Sequence, residues 1–332
     1  MDSIGIVKKI LASIALTAVC SAPVLALDKV KFNLAWLPQG STGGILVAIA
    51  KGFYAEAGME VTAMRGYGGQ RTVNEIDQGL FDFGYGDPIS IMLNRSQGGK
   101  TVMVGTINTR WPAALCYIDR PDRKVQKLSD LKGMVLGGGA ASPLQNIVPA
   151  WLQANKLPAD YIKVLRLDPS VINSSFLEGR IDLAECWEGA NKPVLEALLK
   201  QDGKKLGAFS YRDANLNLYG NGIVTTEKLI ATNPDLVKRF VKATYRGFEY
   251  QRSNPKEAAE AIGAQQRLLD KNILQQQISE TNLIIADPDA GNKKLGWMRA
   301  DRMQSTVDFV RKAFQLDGAI KPGDIYTNQF VE

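Results

Sequence analysis

The chain predicts two α/β lobes of related plan, facing one another. Three observations carry that expectation. About three hundred residues remain after an N-terminal leader, more than one hydrophobic core usually serves. A strand–helix–strand series recurs about a hundred residues after its first appearance. Within the two series, QGLFDFGYGD (78–87) and EGRIDLAECWE (178–188) each carry a helix-stopping glycine, a strand holding an aspartate, and a polar loop.

The leader is residues 1–26: Lys8 and Lys9, an apolar run over 10–19, then Val24, Leu25 and Ala26 before a cleavage point. This is the pattern of a removed secretory signal and places the mature chain in the periplasm. Val19 before Cys20 does not suit a lipid attachment site. With 45% apolar and 22% charged residues, the composition is that of an ordinary globular protein. Removal of Lys8, Lys9 and Asp2 with the leader lowers the net charge from +6 to +5. No basic run with interleaved aromatics is present, which argues against nucleic acid. The chain contains no histidine. That excludes His-based metal sites, Ser-His and Cys-His nucleophile pairs, and imidazole acid–base chemistry. Cys116 and Cys186 can pair in an exported protein, but both sit in apolar strand-like runs, which favours two buried thiols.

The chain is organised around 36–58, WLPQGSTGGILVAIAKGFYAEAG. A strand over 30–35 passes through Pro38, Gln39, Gly40, Ser41 and Thr42 into a helix whose first turn offers free N–H groups. In an open α/β sheet, ligands bind beyond the carboxyl ends of strands, where helix N-termini collect. A strand over 59–64 ends at Arg65-Gly66-Tyr67-Gly68-Gly69, a helix runs from about Arg71 to Gly79, and a strand over 80–85 meets Gly86-Asp87-Pro88. Pro88 opens a helix over 89–96, and a strand over 101–107 ends at Asn108-Thr109-Arg110-Trp111. The second series has strands over 134–137, 162–167 and 181–184 and helices from Leu144 and Pro169. The chain then returns through a strand-like run over 218–224. Asn233 and Pro234 open a long helix whose apolar stripe is Leu236, Val237, Phe240, Val241, Thr244, Tyr245 and Phe248, with Lys238, Arg239, Lys242 and Arg246 on its solvated face. Helices over 255–263, 271–285 and 298–314 complete the chain. The predicted lobes are 27–112 with 215–332, and 113–214.

Five stretches resemble the solute-binding proteins of ABC importers that serve nitrate, sulfonates, taurine and the pyrimidine precursors of thiamine: WLPQGSTGGILVAIAKGFYAEAGMEV, DQGLFDFGYGDP, LKGMVLGGGAASP, YGNGIVTTEKLIATNPDLVKRFVKATYRGFEYQRSNPKEAAEAI and IYTNQFV. The WxP and the terminal YTNxF are most similar to the thiamine-pyrimidine members. Where those members commonly carry an Asn and a His after WxP, this loop has Gln39 and Thr42. The resemblance implies an α/β fold of the two-lobed periplasmic binding protein kind, type II-like, each lobe a mixed sheet flanked by helices. It also implies closure on a ligand by hinge motion, a permease with its ATPase in the inner membrane as partner, and a monomer without cofactor or nucleic acid.

Candidate ligand-binding residues lie at or just past strand ends. In the first lobe they are Trp36, Gln39, Thr42, Tyr67, Asp87, Ser90, Thr109 and Arg110; in the second Ala141, Ser142, Leu144, Trp187 and Glu188; Asn221 lies on the return. Trp36 and Tyr67 suit stacking on a flat ring, Asp87 and Glu188 suit a ring N–H or an amine, and Arg110 suits a carboxylate or sulfonate. Gly98-Gly99-Lys100-Thr101 has the tail of a phosphate loop, but Asn94 stands where its first glycine belongs. The set favours a planar heteroaromatic or zwitterionic nutrient, with an organosulfonate such as taurine as the second ligand class. The rivals are a sensor that feeds a membrane receptor and a pyrimidine-synthase-like enzyme. The latter resemblance implies a His and a cysteine-rich iron motif, which this chain lacks.

Overall fold

The computed structural model describes residues 26–139, 142–265 and 269–331. The expected leader, apart from Ala26, lies outside them. Ten strands form two mixed sheets: β1 (Asp28–Asn33), β2 (Met59–Met64), β3 (Phe83–Gly86), β4 (Thr101–Thr106), β5 (Ala113–Asp119), β6 (Val135–Gly139), β7 (Lys163–Leu167), β8 (Leu183–Trp187), β9 (Lys205–Ser210) and β10 (Gly222–Thr226). The first sheet has the order β2-β1-β3-β10-β4 and the second β7-β6-β8-β5-β9. In each, one strand enters antiparallel beside parallel neighbours: β10 between β3 and β4, and β5 between β8 and β9.

The helices cover the sheets because each lays down an apolar stripe. The helix Pro234–Ser253 buries Leu236, Val237, Phe240, Val241, Thr244, Tyr245 and Phe248, as its spacing predicts. Phe240 stacks on Phe83 with ring centroids 4.0 Å apart, so this helix is centred on the first sheet. Its basic face is not merely solvated. Arg239 holds Asp28 and Asp235 and also donates to the carbonyl of Ala57.

The helix Ala300–Phe314 packs on both sides of the molecule, against Pro88–Ser96 and against Leu144–Ala154. Its buried Met303, Val307 and Val310 share one apolar cluster with Met92 of the first side and Val148 of the second. Beside it, Arg302 is buried against Asp287 at 2.9 Å and donates to the carbonyl of Thr109 at 2.7 Å.

Cys116 and Cys186 do not remain thiols: they form a disulfide between β5 and β8, with their Cα atoms 5.8 Å apart. Register explains the pairing. Ala114 faces Cys186 and Cys116 faces Ala184, so the cysteines are diagonal neighbours on one face of an antiparallel pair, and alanines leave room between them.

Candidate functional site

On the first sheet the loop after β1 is shaped by Asn33. Its Oδ1 accepts from the Ala35 N–H at 2.9 Å and the Thr72 hydroxyl at 3.0 Å, and its Nδ2 donates to Glu75 at 2.8 Å. The turn this imposes puts Ala35 at φ 60° and leaves Trp36 43% exposed. Gly66 and Gly68 donate their N–H groups to the carbonyls of Trp36 and Ala35, which ties the loop after β2 to the loop after β1. Trp36, Leu37, Met64 and Tyr67 are thereby gathered as exposed apolar side chains at the carboxyl ends of adjacent strands. The Tyr67 ring is flanked by the guanidinium groups of Arg65 and Arg71, 4.6 and 4.8 Å from its centroid.

The polar candidates of this side are mostly engaged by the fold. Gln39 donates to the Ser41 hydroxyl at 3.0 Å, and the buried Thr42 donates back to the carbonyl of Gln39 at 3.1 Å. Asp87 caps the helix Pro88–Ser96, accepting from both the N–H and the hydroxyl of Ser90 at 2.9 Å. Burial raises its carboxyl above the ordinary range, against the lowering effect of those Ser90 bonds. A side chain on Gly69 would strike Asp87, so the loop after β2 lies directly on this cap. Asn94, in the discarded phosphate-loop reading, accepts from Thr101 and secures the strand entry.

Two segments cross between the sheets, after β4 and before β10. Ile107 and Asn108 donate their N–H groups to the carbonyl of Asn221, and Gly220 donates to the carbonyl of Asn108, at 2.8 to 2.9 Å. Asn221 precedes β10 instead of lying within it. Asn108 also accepts from the Tyr85 hydroxyl at 2.7 Å. Thr109 is buried and bonded to the Ile284 carbonyl through both its N–H and its hydroxyl. Arg110 is half-buried, and its guanidinium has no ion pair among the described residues.

On the second sheet, Ala141 lies outside the described residues, and Leu144 is wholly buried in the core beside Gly138. Ser142 donates its hydroxyl to Glu185 at 3.1 Å. Glu185, unmarked in the sequence reading, shares a sheet face with Leu183 and Trp187 because side chains alternate along a strand. Burial pushes its carboxyl up to about 7, although Ser142 and the Trp187 indole act in the opposite direction. Trp187 is half-buried and tilted on Trp111, with centroids 5.2 Å apart. Glu188 is not the free anchor its position suggested. Arg212 grips it through both guanidinium nitrogens, at 2.7 and 2.9 Å, and also donates to the carbonyl of Trp111.

The two sides touch at this edge. Ser41 donates its N–H to the Gly189 carbonyl at 2.9 Å. From the helix Lys271–Ile285, Gln277 accepts from Gly40 and donates to the carbonyl of Ala190, while Glu280 accepts from the Gly189 N–H at 2.8 Å and from Lys192. Burial raises the Glu280 carboxyl, and Lys192 works against that shift.

Two mixed sheets, linked by crossing segments and meeting at their strand ends, define the periplasmic binding protein fold. The aliphatic sulphonate binding protein SsuA from Escherichia coli shares it with a TM-score of 0.70 at 15% identity, over 92% of this chain and 99% of that one. The chain belongs to the NMT1/THI5-like family, whose model matches residues 39–258. Among its relatives is riboflavin-binding protein RibY of Chloroflexus aurantiacus, 26% identical over 92% of this chain and 86% of that protein. A formylaminopyrimidine-binding protein of Halalkalibacterium halodurans is 20% identical over 91% of each chain. A 4-amino-5-hydroxymethyl-2-methylpyrimidine phosphate synthase of Candida albicans is 22% identical over 70% of each.

Proposed function

We propose that this protein is the periplasmic solute-binding component of an ABC importer and captures a small planar heteroaromatic nutrient by cleft closure. The lobes are those set out from the sequence, 27–112 with 215–332 closing on 113–214. The observation that carries the reading is the group of exposed Trp36, Leu37, Met64 and Tyr67 at the carboxyl ends of β1 and β2. Contiguous exposed apolar side chains mark a contact surface, and strand ends are where this class of sheet receives ligand. Trp187 lies two residues before Gly189, the point at which the second side touches Ser41. A flat ring held between such walls gains stacking and apolar burial together. The names of the riboflavin and formylaminopyrimidine relatives fit a heteroaromatic ligand.

An organosulfonate is the second reading, favoured by the half-buried Arg110, whose guanidinium has no ion pair among the described residues. An enzymatic reading finds less support. The chain has no histidine, and the sulfurs of Cys116 and Cys186 are bonded to each other, which leaves neither as a thiolate ligand.

The test is a thermal-shift screen of the mature protein against riboflavin, thiamine pyrimidines, taurine and alkyl sulfonates. A ligand at a hundred times its dissociation constant stabilises by about 2.7 kcal/mol, enough to move the midpoint visibly. Stabilisation by flat heterocycles supports the reading. A response to sulfonates alone transfers it to Arg110, and silence across the panel removes it.

A further inference from the structure

Among the described residues, three buried polar atoms near Ala113 have no hydrogen-bond partner of good geometry: Nε1 of Trp111, the hydroxyl of Tyr211 and Oε1 of Glu185, which the Trp187 indole only approaches. Register brings them together. Leu115 faces both Glu185 on β8 and Phe209 on β9, and Ala113 faces Trp187. Tyr211 follows the last β9 pair by one residue, on the far side of Ala113 from Trp187. A methyl group thus stands at the centre of a frame made by Glu185, Trp187, Trp111 and Tyr211. Ser142 closes it from the N-terminal end of the helix Leu144–Ala154 through its bond to Glu185.

Trp111 and Tyr211 are 1% and 0% exposed, whereas Glu185 and Trp187 are half-buried, so the frame has a sealed floor and an accessible side. A buried polar group left unpaired gives up its hydration with nothing to replace it. Three in one place are a liability unless a bound molecule satisfies them. An indole N–H only donates, a phenol does both, and a carboxyl accepts when ionised and can donate as well when protonated.

We infer that Glu185, Trp111 and Tyr211 form a polar subsite, with Glu185 as the specificity-determining residue, for an uncharged ligand edge that carries a donor beside an acceptor, such as an imide, amide or aminopyrimidine edge. This deepens the heterocycle reading above and rests on it. Desolvation favours the neutral form of Glu185, which is the form able to give as well as take a hydrogen bond. A sulfonate supplies acceptors alone and would leave Oε1 facing like charge whenever the acid ionises. The frame therefore selects against the second ligand class.

The experiment is calorimetric titration of the mature protein and of Glu185→Gln, Glu185→Leu, Trp111→Phe and Tyr211→Phe with riboflavin, 4-amino-5-hydroxymethyl-2-methylpyrimidine and ethanesulfonate. Circular dichroism confirms that each variant is folded. The subsite requires that the parent bind at least one heterocycle, and that Glu185→Gln, which keeps a donor and an acceptor, stay within about threefold of it. Glu185→Leu should weaken binding by more than about thirtyfold, and Trp111→Phe and Tyr211→Phe by about tenfold each. A parent that binds a heterocycle while Glu185→Leu and Trp111→Phe bind equally well overturns the subsite and leaves the importer reading standing. Binding of ethanesulfonate alone overturns the subsite and the heterocycle reading together. A parent that binds nothing in the panel removes both with the reading on which they rest.

Discussion

Gly189 sits at φ +72°, and the hydroxyl of Thr281 occupies the space that a β-carbon at residue 189 would need. The loop after β8 is thereby laid flat on the helix Lys271–Ile285, which lets the Gly189 carbonyl reach the Ser41 N–H and its own N–H reach Glu280. A side chain here meets both a backbone penalty and a collision. Gly189→Ala should cost about 1 to 3 kcal/mol of the contact between the two sides, with the sheets intact. Small-angle scattering with saturating ligand would then give a larger radius of gyration for the variant than for the parent, and ligand affinity would fall. Equal scattering curves and equal affinities would show that this junction does not hold the two sides together.

The disulfide is sealed in the core, with both cysteines fully buried. Replacing both by alanine should lower stability by about 2 to 5 kcal/mol, since a cross-link over 70 residues restrains the unfolded chain. The native protein should resist dithiothreitol until denaturant is added. Free-thiol titration with and without guanidinium checks this, and rapid reduction of the native form would contradict the burial.

Glu185 makes stability depend on pH in a direction opposite to that of a salt-bridged acid. Its folded value of about 7 lies above the ordinary 4.5, so between those values the folded chain holds the extra proton. Its contribution is therefore most favourable below about pH 4.5, declines as pH rises from there to about 7, and is a constant penalty above. Glu185→Gln should gain on the order of 2 kcal/mol over the parent at pH 8 and lose that advantage by pH 5. The difference between their urea midpoints isolates this group, because Asp87 and Glu280, whose carboxyls are also raised, are common to both proteins.

Arg302 and Asp287 form a buried pair at 2.9 Å, and the same guanidinium supports Thr109 in a crossing segment. Asp287→Ala leaves that cation without its close partner and should cost about 3 to 5 kcal/mol. Arg302→Met with Asp287→Leu should recover much of the loss, short of the bond to the Thr109 carbonyl. Thermal unfolding of the three proteins decides it: a double variant less stable than the single one would mean that the charges themselves are required.

The order of strands and helices could be read from the chain because glycines, prolines and caps punctuate it. The helix Pro88–Ser96 begins where Asp87 and Pro88 say it should. The strand β9 carries little signal because it is a partly exposed edge, KLGAFS, with no clean alternation for a pattern to find. Its neighbour, the helix Lys192–Gln201, was passed over between the Trp187 loop and the return. The strand β10 starts later than its apolar run, since Leu218 and Tyr219 pack in a crossing segment and the Tyr219 hydroxyl accepts from the Arg299 N–H. At the site, Trp36, Tyr67 and Trp187 could be picked out as aromatics at strand ends. Glu185 could not be, because its importance depends on two neighbouring strands that set Ala113 beside Trp187. The one available signal was an acid at an inward position of the apolar run IDLAECW. Glu188, the neighbouring acid, drew the inference instead, and only the fold reveals Arg212 across from it.

The insertion of β10 between β3 and β4 also sets an order of assembly for a chain made from its N-terminus. The strands of the second sheet all lie between residues 113 and 210, so every one has been synthesised while the first sheet still lacks a central member. The strand β4 has no partner in its sheet until residues 222–226 arrive beside it. The half of the molecule that is made first is finished last.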